Sequence, residues 1–200
     1  MGRRSDHTRE EIRELALQAA SKLVREQGFQ GLSARKVARA IGYTVGSLYL
    51  VFKNLDDLIL QVNARNLEAM HRAVADAGVS IVDPRQRLLA FGRAYLQFAV
   101  AHPHAWRMIF EHRMNDDEPV PEWYEKRIIR LFLLVEEPVR DIMLTDDAAV
   151  TQAAKALWSG VHGVCILYMT GKLDVVRVGA VESLLEHLIR TYLAGLEIGR

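Results

Sequence analysis

One cysteine, Cys165, stands among 200 residues, so no internal disulfide can form. Its neighbours Val164, Ile166 and Leu167 are apolar, which marks it as a small buried hydrophobe rather than a nucleophile. No apolar run reaches membrane-spanning length, and the charged N-terminus lacks the apolar segment of a signal peptide. A cytoplasmic protein without a membrane partner is expected. The chain has no Gly-rich phosphate loop, no HExxH, no paired-cysteine spacing and no serine in a nucleophile elbow. Enzyme chemistry therefore has no anchor, and neither catalytic residues nor a cofactor are expected. His102, His104 and His112 cluster in sequence beside Glu111, Asp116 and Asp117, but they straddle a proline and a loop, so no metal site is expected. Strand-like alternation and internal repeats are also missing. Half the residues are hydrophobic, which excludes a largely disordered chain.

What is present is concentrated between Ser33 and Phe52, SARKVARAIGYTVGSLYLVF. Ser33 is a good N-cap, and Val37, Ala38 and Ile41 recur at helical spacing. Gly42 tolerates the positive φ of a sharp turn. Thr44 caps a second helix, which Leu48, Val51 and Phe52 anchor. This is the layout of a helix-turn-helix, whose second helix lies in the DNA major groove. A longer amphipathic helix over residues 8–27 precedes it, with Ile12, Leu15, Ala16, Ala19, Leu23 and Val24 as its apolar stripe. Gly28 and Gly31 bracket Phe29 in the connection.

Charge is uneven along the chain. The net charge is +1, yet residues 1–53 carry +5 and residues 54–200 carry −4. A basic first domain on an acidic remainder is the electrostatic footprint of a DNA reader. Phosphate contacts then supply most of the affinity, and binding weakens with salt. Arg9, Arg13 and Lys22 form a solvated face, with Glu10, Glu11, Glu14 and Glu26 near enough to pair with them.

The ordered set of a basic arm, a long helix, Gly28-Phe29, a Ser33-capped helix, Gly42 and Gly46-Ser47-Leu48-Tyr49 leading to Phe52 resembles the TetR/AcrR family of transcriptional regulators. The resemblance implies phosphate contacts for Ser33 and Arg35, an exposed recognition-helix start at Thr44, Val45, Gly46 and Ser47, and backbone contact by Lys53. Tyr43 sits in the turn, where it can pack on a thymine methyl. Tyr49 matches the family tyrosine directed at a phosphate; a plain core residue is the other reading. The chain departs from the family pattern at Val51, where a histidine is common, and at Leu55, where a lysine is common. Specificity is then expected to rest on Thr44, Ser47, methyl contacts and DNA shape. Arg3 and Arg4 are either a minor-groove arm or a tail without function.

Beyond Leu55 only helices are predicted. They run from Leu55 to about Ala77, from Pro84 to His102, from Pro103 to Arg113, from Trp123 to about Met143 with a kink at Pro138, and over about 146–171 and 175–196. The polar loop Met114–Glu122 separates the third and fourth of these. The fold class is all-α: a three-helix helix-turn-helix domain over 1–53 and a helical ligand-binding and dimerisation bundle over 54–200, about nine helices in all.

Val181, Leu184, Leu185, Leu188, Tyr192 and Leu196 form one stripe. Ala153, Ala156, Leu157, Gly160, Val161 and Val164 form another; such stripes are more often intramolecular core, and the family resemblance implies a homodimer through the last two helices. Trp158, His162 and Gly163, with the segment Ala101–Met114, resemble the tryptophan-histidine-glycine type of TetR C-terminal domain. That resemblance implies a pocket, with Phe91, Tyr95, Phe98, Trp106, Phe110, Leu131, Leu134, Trp158 and His162 as candidate walls; each is otherwise simply core. His162 either faces the cavity or satisfies a buried carbonyl. The expected function is a ligand-responsive regulator, a repressor released from operator DNA by a small lipophilic effector. A helical adaptor or small-molecule-binding protein that no longer reads specific DNA is the alternative.

Overall fold

The structure, a computed structural model, describes residues 7–114, 119–143, 145–175 and 179–198. Its described residues form ten α-helices and one 3-10 turn, with no strand: α1 (Arg9–Gln27), the 3-10 turn Phe29–Gly31, α2 (Ala34–Ala40), α3 (Val45–Leu48), α4 (Leu55–Gly78), α5 (Pro84–Ala101), α6 (Pro103–Glu111), α7 (Glu122–Met143), α8 (Asp147–Met169), α9 (Lys172–Val175) and α10 (Val181–Ile198). Arg3, Arg4, Asp116 and Asp117 lie outside the described residues.

The helix boundaries follow from local chemistry. Thr8 and Glu11 form a capping box that satisfies two orphan amides of α1. Gly28 stops α1 at φ 72°, and Gly42 turns the chain at φ 76°; both are conformations that side chains resist. Asp83 caps α5 and Pro84 fills its first turn, where a missing amide costs nothing. Pro138 is accommodated inside α7.

The chain divides into two compact units, but not at residue 53. The first takes the described residues up to Leu67 together with His104–Tyr124; the second takes Glu68–Pro103 and the described residues from Glu125 onward. The division falls inside α4, and α6 belongs with the helix-turn-helix. The reason is α6's own amphipathicity. Met108 is fully buried in the cluster formed by Ala16, Leu17, Val24, Leu48, Phe52, Leu58 and Val62. The buried Asn63 on α4 donates to the Met108 carbonyl at 3.1 Å. Trp106 is also fully buried in this unit. Each fully buried large side chain contributes about 1.5–3 kcal/mol, so α6 is a structural member of the first unit.

In the second unit α5 buries a broad face including Leu88, Leu89, Phe91, Tyr95, Leu96 and Phe98. Gly92 lets α10 approach closely, because a Cβ there would lie 2.5 Å from Ile189 Cδ1. The stripe expected on α10 splits between two faces. Val181, Leu185, Ile189 and Leu193 are buried, while Leu184, Leu188, Tyr192 and Leu196 are half-buried or exposed. The last predicted helix also begins later than expected: α9 ends at Val175 and α10 starts at Val181.

Candidate functional site

The first unit contains the segment Ser33–Phe52 predicted as a helix-turn-helix. Thr44 caps α3 by accepting from the Ser47 amide at 3.1 Å, and the two hydroxyls lie 2.9 Å apart. Ser33 caps α2 by accepting from the Lys36 amide at 3.3 Å. Thr44, Val45, Gly46 and Ser47 are all exposed or half-buried. Helix α3 is shorter than the sequence suggests. It closes at Leu48, and the chain reaches Phe52 through turns in which Val51 and Phe52 both donate to the Leu48 carbonyl. The anchors nonetheless pack as expected, with Leu48, Val51 and Phe52 all buried.

Tyr49 is 44% exposed, which is not the environment of a core residue. Arg35 and Lys53 are exposed, and the Lys53 amide donates to Asp57 at 2.9 Å, which ties that backbone to the start of α4. The Tyr43 hydroxyl lies 2.8 Å from His7 Nδ1, so it is engaged within the protein. Val51 is in the core and Leu55 packs against it, so neither position faces solvent as a donor would. Leu50 carried no role in the sequence reading, yet it is 66% exposed beside Tyr49. A leucine facing water next to a recognition helix suits contact with thymine methyls, and its break from the apolar period was the available signal.

The acidic partners of the first helix are only partly those expected. Arg13 lies 3.7 Å from Glu10 and Lys22 3.9 Å from Glu26. Glu14 is instead bound by Arg65 of α4, which holds its carboxyl below the usual range, and Glu11 serves the Thr8 cap. These are exposed pairs of small energetic weight. None of them draws on Arg35, Arg39 or Lys53, the cations on the side of α2 and α3.

The second unit contains an apolar cavity of about 40 Å³, lined by Val74, Leu88, Phe91, Gly92, Tyr95, Leu131, Val135, Leu157, Trp158, Val161 and Ile189. Phe91, Tyr95, Leu131 and Trp158 thus fall on its wall as the sequence suggested. Phe98 and Leu134 belong to the same unit but are not on the wall. Trp106 and Phe110 lie in the first unit, where their rings meet edge-on, because α6 packs there. His162 is set just behind the wall. Its Nδ1 is 2.8 Å from the Tyr95 hydroxyl, and its ring stacks on Trp158 at 4.9 Å with a 14° interplanar angle. Burial lowers the His162 pKa, so the ring is neutral at pH 7, with one nitrogen a donor and the other an acceptor. The wall carries no Lys, Arg, Asp or Glu.

The remaining titratable candidates do not assemble. His102 rests on Phe98 in the second unit, whereas His104 and His112 are in the first. Among the described residues no group of three His, Cys, Asp or Glu side chains is placed to hold a metal ion. Cys165 is buried and its thiol is pushed up to about 12, which leaves it protonated and unreactive. Among the described residues no helix is long and apolar enough to cross a membrane.

Comparison with known proteins agrees with this geometry. Residues 16–62 match the model of the bacterial regulatory proteins of the tetR family, and residues 88–192 match the tetracyclin repressor-like C-terminal domain. No curated protein gives a significant match. Similar solved structures include a protein of unknown function from Rhodococcus sp. RHA1, 20% identical over 97% of this chain and 98% of that one, with a TM-score of 0.77. A TetR-like transcriptional regulator from the same organism is 23% identical, covers 94% of this chain and 96% of its own, and gives a TM-score of 0.63. The TetR family regulator PfmR from Thermus thermophilus is 19% identical over 90% of this chain and 97% of its own, with a TM-score of 0.60. The family models together span the helix-turn-helix and most of the second unit, and the chain belongs to the TetR family of DNA-binding transcriptional regulators.

Proposed function

We propose that this regulator is a homodimeric repressor that leaves its operator when an uncharged, lipophilic small molecule enters the second unit. The observation that carries the reading is the cavity. Its wall is aliphatic and aromatic, it has no charged side chain, and the polar groups of its lining side chains are the Tyr95 hydroxyl, paired with His162, and the Trp158 indole N–H. Such a wall accepts a flat or lipophilic body and offers few hydrogen-bonding positions. It gives no counter-ion to a carboxylate or an amine, and burying either unpaired is costly.

The mechanism is a population shift. A cavity of about 40 Å³ holds a few waters at most. A larger ligand enters only when the helices that line it separate. One lining residue, Val74, is on α4, and the opposite half of the same helix buries Leu58, Ile59 and Val62 in the helix-turn-helix core. Ligand binding therefore favours one setting of α4 over another. It lowers DNA affinity by its differential affinity for the two settings.

In this reading Ser33, Arg35 and Lys53 hold the phosphate backbone, and Thr44, Gly46, Ser47, Tyr49 and Leu50 face the groove. The outward face of α8 and α10 pairs two copies and sets the recognition segments one DNA turn or a multiple apart. Leu184, Leu188 and Leu196, which the core does not fully bury, support that pairing, as do Ile166 and Leu167, which are 37% and 44% exposed. Acting on chromosomal DNA, the protein works in the cytoplasm.

The test uses Trp158 fluorescence to screen uncharged aromatic and aliphatic compounds, followed by DNA titration with and without each binder. A binder is expected to weaken DNA binding in the wild type. Val161→Phe, which fills the cavity, is expected to abolish the response while leaving DNA affinity unchanged. Saturating binders that never alter DNA affinity would sink the proposal.

A further inference from the structure

The turn and recognition segment has cations at its two ends, Arg39 and Lys53, and no Arg, Lys, Asn, Gln, Asp or Glu between them. Cations at the ends suit phosphates, whereas the side chains that make bidentate contacts to base edges are the ones missing. The hydroxyls of the segment replace them only in small part. That of Tyr43 is engaged with His7 Nδ1 at 2.8 Å. Thr44 accepts from the Ser47 amide at 3.1 Å, and the 2.9 Å bond between the Thr44 and Ser47 hydroxyls uses one of their two O–H protons. The pair keeps a single proton to offer a base.

What the segment offers instead is apolar. Leu50 is 66% exposed and follows the exposed Tyr49. A single exposed leucine elsewhere on a protein surface needs no explanation. Leu50 differs in being held outward on the segment that meets DNA. Its amide donates to the Ser47 carbonyl at 3.3 Å, and Leu48, Val51 and Phe52 on either side of it are buried in the core. Turning Leu50 inward would drag those anchors out, so its side chain stays in water until a partner covers it. The major-groove edges of the four bases carry one apolar group, the C5-methyl of thymine. 5-Methylcytosine carries the same methyl on the same carbon.

We propose that Leu50 is a specificity-determining residue that reads C5-methyl groups in the major groove, and that it accepts the methyl of 5-methylcytosine as readily as that of thymine. A leucine side chain neither donates nor accepts a hydrogen bond, so it does not distinguish the O4 of thymine from the N4 amino group of cytosine. The methyl alone decides. Methylation of a cytosine at the base Leu50 faces therefore strengthens binding, and the regulator responds to the methylation state of its DNA. This role of Leu50 rests on the DNA-binding reading of α2 and α3.

The test uses the full chain and a duplex that the wild type selects from a randomised pool. Each thymine of the half-site is replaced in turn by uracil, which lacks only the methyl, in both half-sites at once. At one position the replacement is expected to weaken binding about fourfold per half-site, the worth of one buried methyl, and about fifteenfold in all. A cytosine–guanine pair is then placed at that position with and without the C5-methyl, and the same factor is expected. Leu50→Ala should abolish both differences, while Tyr49→Phe leaves them in place. Each comparison sets two duplexes against one protein, so a uniform loss of affinity in a variant cancels. Methyl effects that survive Leu50→Ala overturn the proposal, as does a selected site in which no thymine methyl matters. A methyl effect in the thymine pair with none in the cytosine pair overturns it as well. A wild type that selects nothing and binds no duplex at low salt overturns the DNA-binding reading itself, and the methyl readout with it.

Discussion

Replacing Met108 by alanine tests whether α6 is part of the DNA-binding unit. Met108 is fully buried and packs in one cluster with residues of α1, α2 and α4. Truncation removes the side chain's transfer energy and leaves a void, and Met→Ala changes of this kind cost about 2–5 kcal/mol. The Asn63 bond to the Met108 carbonyl survives, because it uses the backbone, so a loss of about 3 kcal/mol is expected. Against a total stability of about 5–15 kcal/mol that is a large fraction. With a urea slope of about 1.5 kcal/mol/M, the midpoint falls by about 2 M. The location of the loss matters more than its size. Trp106 and Trp123 lie in the first unit and Trp158 in the second, so Trp158→Phe isolates the first unit's fluorescence. Segment-resolved hydrogen exchange should show faster opening in α1 and the first half of α4, with α10 little altered. Faster exchange confined to α5, α8 and α10, or a loss below about 1 kcal/mol, would refute the assignment of α6.

Gly42→Ala forces a side chain into a left-handed turn at φ 76° with no neighbour to clash against, so it should cost about 1–2 kcal/mol from backbone strain alone, read by thermal unfolding. His71, His112 and His162 all have pKa values lowered mainly by burial. The unfolded chain therefore takes up protons before the folded one. Their neutral forms impose no penalty above pH ~6.5, and stability falls as pH drops below it until the folded values are passed. Urea midpoints measured from neutral pH down into the acid range check the sign, and His112→Phe should flatten the dependence. Leu184→Glu places a carboxylate at a half-buried position of α10, and sedimentation should show a dimer in the wild type and a monomer in the variant. A variant that remains dimeric would remove α10 from the interface.

The helix-turn-helix was legible in the sequence because its signals are local. Ser33, Thr44 and Gly42 each state a cap or a turn, and the structure makes those bonds. The all-helical class was readable for the same reason. The unit boundary was not, since α6 joins the first unit through Met108, Trp106 and Asn63, contacts some forty-five residues apart in sequence. Periodicity shows that α6 has an apolar face and cannot show what that face meets. The pocket wall was half legible for the same reason: Phe91, Tyr95, Leu131 and Trp158 share a unit, whereas Trp106 and Phe110 looked equivalent by composition alone. The length of α3 was misread because Leu48, Val51 and Phe52 keep helical spacing while the backbone between them runs through turns. The double stripe on α10 could not be divided into core and outward faces without its neighbours α5 and α8.

The central claim, that α2 and α3 read duplex DNA as part of a dimer, is tested most directly by selecting binders from a randomised duplex pool with the wild type and with Gly46→Glu. Gly46 sits at the start of the recognition helix, and an added Cβ would meet only Thr44 Oγ1 at 3.6 Å, so the free protein tolerates the change. The account predicts that the wild type enriches a palindrome with half-sites about 10 base pairs, or a multiple, apart. It predicts that Gly46→Glu, with a carboxylate facing the groove, enriches nothing. A wild type that enriches no sequence at low salt, or a Gly46→Glu variant that enriches the same palindrome, would contradict it.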